Sequence, residues 1–262
     1  MKLAPMIGFL LALVVAEVAA ATQTVTNIHG TPVIGSVGRT DKIQRRSLPL
    51  YPVAASRSVI RSSSVNNNAA STTTSHRAAT ITVTNTSDNG QGSLRQAILD
   101  AAPGDTINFS ITGTITLTSG QLVINKNLTI QGPGANLLTV SGNLTYSNRV
   151  FFIAENMTAV LDGMTITGGC LGGVGGAIAS LIGAHLTVRN SIVTGNCNGS
   201  SGAGIANWGG TLIVSNSIVS DNQALFYDAG GGGIWNYAFA PDYHTFIGAT
   251  LIVRNSTISG NL

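Results

Sequence analysis

The sequence predicts an all-β fold, a parallel β-helix solenoid with a short N-terminal capping helix, and two repeated phrases carry that prediction. A glycine-rich hexapeptide occurs three times at nearly equal steps, as GGAIAS from Gly175, GAGIAN from Gly202 and GGGIWN from Gly231. A second phrase, TLIVSNSIVSDN in its middle copy, alternates with the first and begins at His185, Thr211 and Thr250. Two phrases that recur in one fixed order indicate a repeat protein.

Each repeat consists of short β-branched runs separated by Gly, Asn and Asp, which is the pattern of strands and tight corners. The shorter repeat step, as from Val188 to Val214, fits one coil of a parallel β-helix, in which equivalent residues stack about 4.8 Å apart. Leucine-rich repeats have a similar period, but their leucine spacing is missing here. The predicted ladders are Ile178, Ile205 and Ile234; Val193, Val219 and Ile258; Asn190, Asn216 and Asn255; and Asn196, Asn222 and Asn261.

Two details of the alignment concern the surface of the solenoid. Asp162 aligns with Arg189 on the next coil, which predicts an exposed ion pair that contributes about 0–1 kcal/mol. The last step between repeats is the longest, so it contains an insertion, roughly at positions 226–230 and 237–246. Insertions into a solenoid coil form loops on one face.

The segment Gly92–Pro103, with the sequence GSLRQAILDAAP, is the predicted cap of the first coil. Ser93 and Gln96 have the spacing of a capping box, and Pro103 with the following glycine ends the helix. An amphipathic helix at this point covers core residues and strand edges that the first coil would otherwise expose.

The part of the chain before Thr80 is predicted to lie outside the solenoid. Residues 1–21 have the charged start, apolar core and small-residue cleavage site of a signal peptide. That core is shorter than the roughly 20 apolar residues of a membrane span, so the sequence predicts export and no transmembrane segment.

Residues 22–79 form a basic linker rich in Ser and Asn, which is predicted to be disordered because it cannot bury enough apolar area to offset its ordering entropy. Basic arms can bind nucleic acid. In an exported chain a solvated spacer is the better interpretation, so no nucleic-acid partner is predicted.

The region from Thr80 to Leu262 resembles two groups of surface proteins. Val83–Phe109, VTNTSDNGQGSLRQAILDAAPGDTINF, resembles the N-terminal segment of bacterial proteins with the CSLREA domain, with Gly92 and Gln96 where that motif has Cys and Glu. The GGAI-like phrases resemble the repeats of chlamydial polymorphic outer membrane proteins, although their partner motif FxxN occurs here without its Phe. The resemblance implies a right-handed parallel β-helix exposed at the cell surface, often adhesin-like.

Enzymes on the same fold, such as pectate lyases and polygalacturonases, need clustered carboxylates and usually a positioned Arg or Lys. Here the acidic residues of the repeat domain are scattered. His185 has no second His or Cys at the spacing of metal ligands, so it is predicted to be a surface residue. The sequence therefore predicts no catalytic residue, no metal ligand and no cofactor. The acidic residues are Asp88, Asp100, Asp105, Glu155, Asp162, Asp221, Asp228 and Asp242.

The least repetitive region, Phe226–Phe246, contains the candidate ligand patch. Aromatic side chains beside an acid and a histidine form sugar-binding or catalytic surfaces. The alternative is a loop that packs its own aromatic side chains over the coils. The members of the patch are Tyr227, Asp228, Trp235, Tyr237, Asp242, Tyr243 and His244.

These features together predict an exported, non-enzymatic, adhesin-like protein, secreted or associated with the cell surface or outer membrane. Its expected partner is a glycan or a host or cell-surface protein. The alternative is a polysaccharide-active lyase or glycoside hydrolase that uses the Phe226–Phe246 region.

The two cysteines, Cys170 and Cys197, are separated by one repeat length, since they end the equivalent phrases TITGGC and IVTGNC. They are therefore predicted at equivalent corners of adjacent coils, with Cα atoms about 5 Å apart, inside the range of a disulfide. Export would provide oxidising conditions. Stacked Cβ atoms point in the same direction, however, so a bridge and a pair of small apolar residues in a turn both stay open. A metal or redox pair is not expected.

At the other end of the repeats, Leu262 directly follows the corner at Asn261. The sequence therefore predicts an unpaired strand edge on the last coil and a truncated chain.

Overall fold

The computed structural model describes residues 25–26, 77–144, 147–171, 173–198, 200–225, 230–238, 245 and 247–262. They form one helix, Leu94–Asp100, and the strands of a parallel β-solenoid of about six turns. The predicted right-handed parallel β-helix is confirmed. The predicted signal peptide and most of the linker lie outside the described residues.

The described residues form three long sheets and one short sheet along the solenoid. Sheet A contains Val25–Thr26, Thr80–Val83, Thr106–Phe109, Leu128–Gln131, Thr158–Asp162, His185–Arg189, Thr211–Ser215 and Thr250–Arg254. Sheet B contains Gly113–Thr116, Leu138–Ser141, Thr165–Thr167, Ile192–Thr194, Ile218–Ser220 and Thr257–Ser259. Sheet C contains Leu122–Ile124, Phe151–Ile153, Ile178–Ser180, Ile205–Trp208 and Ile234–Tyr237. The short sheet D contains Ser147–Asn148, Cys170–Leu171, Cys197–Asn198 and Gln223–Ala224, of which the first pairs antiparallel to the second.

Apolar ladders fill the interior because alternate residues of each strand point inward. In sheet C, Ile178 pairs with Ile205, and Ile205 pairs with Ile234. In sheet B, Val193 pairs with Val219, which pairs with Ile258. Both predicted ladders are therefore confirmed. Complete burial of such a side chain contributes about 1.5–3 kcal/mol, so the repeated apolar positions are the main source of the solenoid's stability.

The two asparagine columns have different roles. Asn190, Asn216 and Asn255 adopt the left-handed backbone conformation at the corner between sheets A and B, with φ values of 49°, 48° and 46°. Asparagine tolerates that conformation better than most residues. These side chains therefore fix the shape of a turn.

The second column is a hydrogen-bonded ladder at the corner between sheets B and D. Asn196 Nδ2 donates to Asn222 Oδ1 at 2.8 Å, and Asn222 Nδ2 donates to Asn261 Oδ1 at 2.9 Å. Asn222 is fully buried and also donates to the carbonyls of Val193 and Ser220. Each amide thus satisfies buried main-chain groups that would otherwise lack partners.

Sheet D places Cys170 opposite Cys197, and the two residues form a disulfide with their Cα atoms 4.5 Å apart. The bridge links two adjacent coils and closes a loop with a sequence separation of 27 residues. Cys170 is buried in the strand pair, so the bridge belongs to the stacked corner rather than to a surface loop.

The helix Leu94–Asp100 covers the first coil with its apolar face, as predicted. Ser93 is the N-cap, and its hydroxyl accepts a hydrogen bond from the Gln96 amide at 3.2 Å. The predicted capping box is only half formed, because the Gln96 side chain donates to Asp100 instead of reaching back to Ser93. The residues of the buried face are Leu94, Ala97 and Ile98.

Charged side chains fasten both ends of this helix. Before it, Asp88 accepts hydrogen bonds from Arg95 and from the main-chain amides of Thr118 and Ser119. Burial opposes ionisation of Asp88, but the hydrogen bonds from Ser119, Arg95 and Thr118 outweigh it and hold the pKa of this carboxyl well below its usual range. After the helix, the ammonium of Lys126 donates to three carbonyl oxygens of the last turn and the C-cap.

The last coil is paired at part of its outer edge. Val25 and Thr26 form a short parallel strand opposite Leu251 and Ile252. The predicted unpaired edge is therefore wrong at these two positions, because the N-terminal segment supplies the missing main-chain partners.

Candidate functional site

An aromatic patch lies on the outer face of sheet C. Trp235 and Tyr237 alternate with inward residues on the strand Ile234–Tyr237, so both rings point outward. The two rings are stacked, with centroids 4.7 Å apart and planes 11° apart. Trp208 on the neighbouring strand lies opposite Tyr237 and meets both rings edge-on, at 6.2 Å from Trp235 and 6.4 Å from Tyr237. We call Trp208, Trp235 and Tyr237 the aromatic patch.

Two inward asparagines hold the strands beneath the patch. Asn207 Nδ2 donates to Asn236 Oδ1 at 2.7 Å and to the Gly210 carbonyl at 2.9 Å. Because side chains alternate across a strand, these residues fix the direction of the aromatic side chains on either side of them. The rings therefore lie on a fixed backbone.

Glycine-rich turns pack against the base of the patch. Gly202 has a φ of 65°, and a Cβ atom on it would lie 2.9 Å from Trp235 Cβ. A Cβ atom on Gly230 would lie 3.1 Å from the Trp235 indole. Gly202 N donates to the carbonyl of Gly230 at 3.0 Å, which joins the two turns. Glycine is thus required for the backbone to approach Trp235 closely.

On the middle strands of sheet C the outer face is covered. Ala179 and Ala206, which precede Trp235 in the same outward column, are both buried. Arg149 fastens one covering turn, because its guanidinium donates to the carbonyls of Val174 and Gly175 at 2.6 and 2.8 Å. This face becomes accessible at the two edge strands of sheet C, where Val123 is 43% exposed and Tyr237 of the aromatic patch is 42% exposed.

The structure brings together two members of the predicted ligand patch, Trp235 and Tyr237. The other predicted members lie outside the described residues, in the two segments that flank the strand Ile234–Tyr237: Tyr227, Asp228, Asp242, Tyr243 and His244. The extra residues lie within the connections 225–233 and 238–249, so Tyr237 belongs to a strand and not to the inserted loop.

Trp208 is a member of the patch that the sequence analysis misses. The signal is present in the repeat, because Ile205 and Ile234 occupy equivalent positions. Continuing that alignment to the end of the strand places Trp208 opposite Tyr237, as the structure has it.

A polar row crosses the outer face of sheet A at the end next to sheet B. It consists of Asp162, Arg189, Ser215 and Arg254, which follow one another on adjacent strands. Asp162 Oδ2 accepts a hydrogen bond from Arg189 Nε at 2.9 Å, which confirms the predicted alignment. The pair is less exposed than predicted, because the Asp162 side chain is only 10% accessible and that of Arg189 is 45% accessible.

The described residues do not provide a metal centre. Among them no three His, Cys, Asp or Glu side chains converge. In the polar row, one oxygen of Asp162 accepts from Arg189 and the other accepts from Asn190 at 2.8 Å. Calcium takes six to eight oxygen ligands, so this row does not fit a calcium ion.

Three curated proteins match the chain, all described as a probable pectate lyase C. The protein of Aspergillus terreus is 24% identical over 217 residues, which cover 67% of this chain and 50% of that protein. The proteins of Aspergillus flavus and Aspergillus oryzae are each 23% identical over 191 residues, which cover 58% of this chain and 44% of those proteins. The chain thus spans about half the length of the curated relatives it matches. No protein-family model and no solved structure matches the chain.

These matches correct the prediction that the protein is not an enzyme. The similar proteins are described as lyases, and the solenoid is of the kind that lyases use. The prediction relied on scattered carboxylates, and those that the structure describes form no cluster of three. The similarity to lyases, rather than a carboxylate cluster, overturns it. The resemblance to surface proteins, and the outer-membrane attachment and adhesion that it implies, stay predictions.

In the part of the chain that the structure describes, no helix has the length and apolar character to span a membrane.

Proposed function

We propose that this protein is a polysaccharide-active enzyme that cleaves an acidic polysaccharide as a lyase, with pectate as the first substrate to test. The observation that carries the proposal is the match of more than half the chain to three probable pectate lyases. The parallel β-helix and the two outward arginines of the polar row, Arg189 and Arg254, support it.

The polar row is the substrate-binding surface in this proposal. Arg189 and Arg254 flank Ser215, so their Cα atoms lie two strand spacings, about 10 Å, apart. Arginine binds carboxylates through charge-assisted hydrogen bonds. Two guanidinium groups spaced along the solenoid axis suit a polymer that carries a carboxylate on successive sugars.

The chemistry of a lyase gives these cations a role. A base removes the proton from the carbon beside the sugar carboxylate, and the electrons of that C–H bond form a carbon–carbon double bond. The glycosidic oxygen leaves with the electron pair of its bond to carbon and takes up a proton. A guanidinium on the carboxylate stabilises the negative charge that develops as the proton departs. In this scheme Arg189 and Arg254 hold the carboxylates, and Asp162 positions Arg189.

The disulfide between Cys170 and Cys197 supports a location outside the reducing cytosol, because such bridges persist in oxidising compartments. Export is therefore part of the proposal.

The test measures ultraviolet absorbance of the unsaturated product when the purified protein is incubated with polygalacturonate, with calcium and with a chelator. We expect absorbance to rise in at least one condition. Arg254→Ala should raise KM about tenfold, the effect of losing one charge-assisted hydrogen bond. Arg254→Lys keeps the charge and serves as the matched control. Its KM should lie between those of the wild type and Arg254→Ala. No product from polygalacturonate or other uronate polymers in either condition would refute the proposal.

A further inference from the structure

The chain contains only two tryptophans, Trp208 and Trp235, and both lie in the aromatic patch. The patch takes no part in the chemistry proposed for the polar row. Its rings are arranged in a fixed order, since Trp235 and Tyr237 are stacked and Trp208 meets both edge-on. Tyr237 is the most accessible member, with 42% of its surface exposed.

The size of the patch indicates the kind of ligand that it fits. Its three side chains occupy two adjacent strands, which lie about 4.8 Å apart. A stable protein interface buries about 800 Å² on each partner, which is far more than three side chains supply. One sugar ring, with an apolar C–H face and a polar rim, matches both the area and the amphipathic character of Trp and Tyr.

The patch and the polar row are separated by the width of sheet A. Thr211, the first residue of its strand, follows Trp208 after the short turn Gly209–Gly210, and Ser215 of the polar row ends that strand. The extended chain from Thr211 to Ser215 spans about 13 Å. A single sugar cannot contact both surfaces. An oligosaccharide contacts both when it turns from the axial direction of the polar row and crosses the outer face of sheet A.

We propose that the aromatic patch is a sugar-stacking subsite that binds one pyranose ring of the polysaccharide, outside the polar row, and so selects long chains over short ones. The identity of the polysaccharide rests on the proposed function. The subsite itself rests on the geometry of Trp208, Trp235 and Tyr237.

The experiment is a titration of the intact protein with short and long oligogalacturonates, followed by tryptophan emission. Because both tryptophans belong to the patch, the emission reports binding there directly. We expect a saturable change in tryptophan emission when long oligogalacturonates are added to the wild type. The Tyr237→Ala variant should bind them about tenfold more weakly, which is the range of one lost stacking contact. Tyr237→Phe keeps the ring and should bind as the wild type does. Val123→Ala is the matched control, since Val123 is exposed on the opposite edge strand of sheet C.

Two results would overturn the subsite. One is tryptophan emission that does not change at saturating long oligogalacturonate, which decides the matter without any variant. The other is Tyr237→Ala binding as tightly as Val123→Ala. The proposed function fails separately, when the wild type forms no unsaturated product. If the protein cleaves the polysaccharide but its tryptophan emission does not change, the proposed function stands and the subsite is refuted. If the emission changes on binding but no product forms, the subsite stands and the proposed function is refuted.

Discussion

The N-terminal cap and the coils of the solenoid are stabilised by different interactions. The cap depends on a few charged side chains, Asp88, Arg95 and Lys126, each of which contacts several main-chain groups. The coils depend on neutral side chains repeated in register, such as Asn196 and Asn222. Stability of the cap should therefore vary with pH, and stability of the coils should vary with the loss of single ladder members.

The largest effect is expected from Asn222→Ala. The substitution removes an amide that is fully buried. The Val193 and Ser220 carbonyls each lose a donor, and the main-chain N–H of Asn196 loses an acceptor. The free energy of unfolding should fall by about 3–5 kcal/mol, measured by urea denaturation.

The control for this prediction is Asn216→Gly. Asn216 belongs to the other asparagine column, where it is exposed and adopts a φ of 48°. Glycine accepts that conformation, so the change should be below about 0.5 kcal/mol. Equal losses in the two variants would show that the columns do not differ in role.

The disulfide should give the next largest effect. Replacing Cys170 and Cys197 with alanine releases a loop with a sequence separation of 27 residues, which corresponds to a loss of about 2–4 kcal/mol. Thermal unfolding with and without reductant measures it. Reductant should lower the melting temperature of the wild type and leave the double variant unchanged; an equal response of both proteins would contradict the prediction.

Asp88 should make the cap sensitive to acid. Its pKa in the folded protein is held below the unfolded value of about 3.9, so its stabilising effect is present above that value and is lost as the pH falls toward the folded pKa. Asp88→Asn should cost about 2 kcal/mol at neutral pH, and the difference from the wild type should shrink below about pH 4. The measurement is the free energy of unfolding across that range.

Asp100→Asn is the control for the acid effect. Asp100 is the last residue of the capping helix, is exposed, and accepts one hydrogen bond from the Gln96 side chain. Its substitution should change stability little at any pH. A difference between wild type and Asp88→Asn that does not vary with pH would count against the proposed role of Asp88.

Lys126→Met should give the smallest effect, about 1 kcal/mol. The variant keeps the apolar part of the side chain and removes the ammonium that contacts the carbonyls of Ile98, Leu99 and Ala101. Hydrogen exchange should become faster in the helix Leu94–Asp100 and stay unchanged in the coil strands. Faster exchange throughout the solenoid would show that the cap and coils unfold together.

The same difference explains how much the sequence could predict. Ladder partners such as Ile178 and Ile205 occupy the same position in copies of one phrase, so the repeat itself predicts which residues stack. The contacts of Asp88 and Lys126 join segments that do not repeat, so nothing in the spacing indicates them. Within the candidate site the repeat places Trp208 opposite Tyr237, but only when the alignment is continued beyond the glycine phrase. The pairing of Val25 with Leu251 links segments at opposite ends of the chain, which no periodicity connects.

The long step between repeats gives the solenoid a removable cassette. Asn216 and Asn255 occupy equivalent corners at the two ends of that step. Excising residues 216–254 would join Ser215 to Asn255, and an Asn-Ser dipeptide would still begin the next strand, because Asn255-Ser256 repeats Asn216-Ser217. The disulfide would be unaffected, and Asn261 would take the place of Asn222 in the amide ladder. Trp235 and Tyr237 would leave with the cassette. A scaffold of this kind can gain, lose or exchange a recognition surface during evolution while its core keeps the same register.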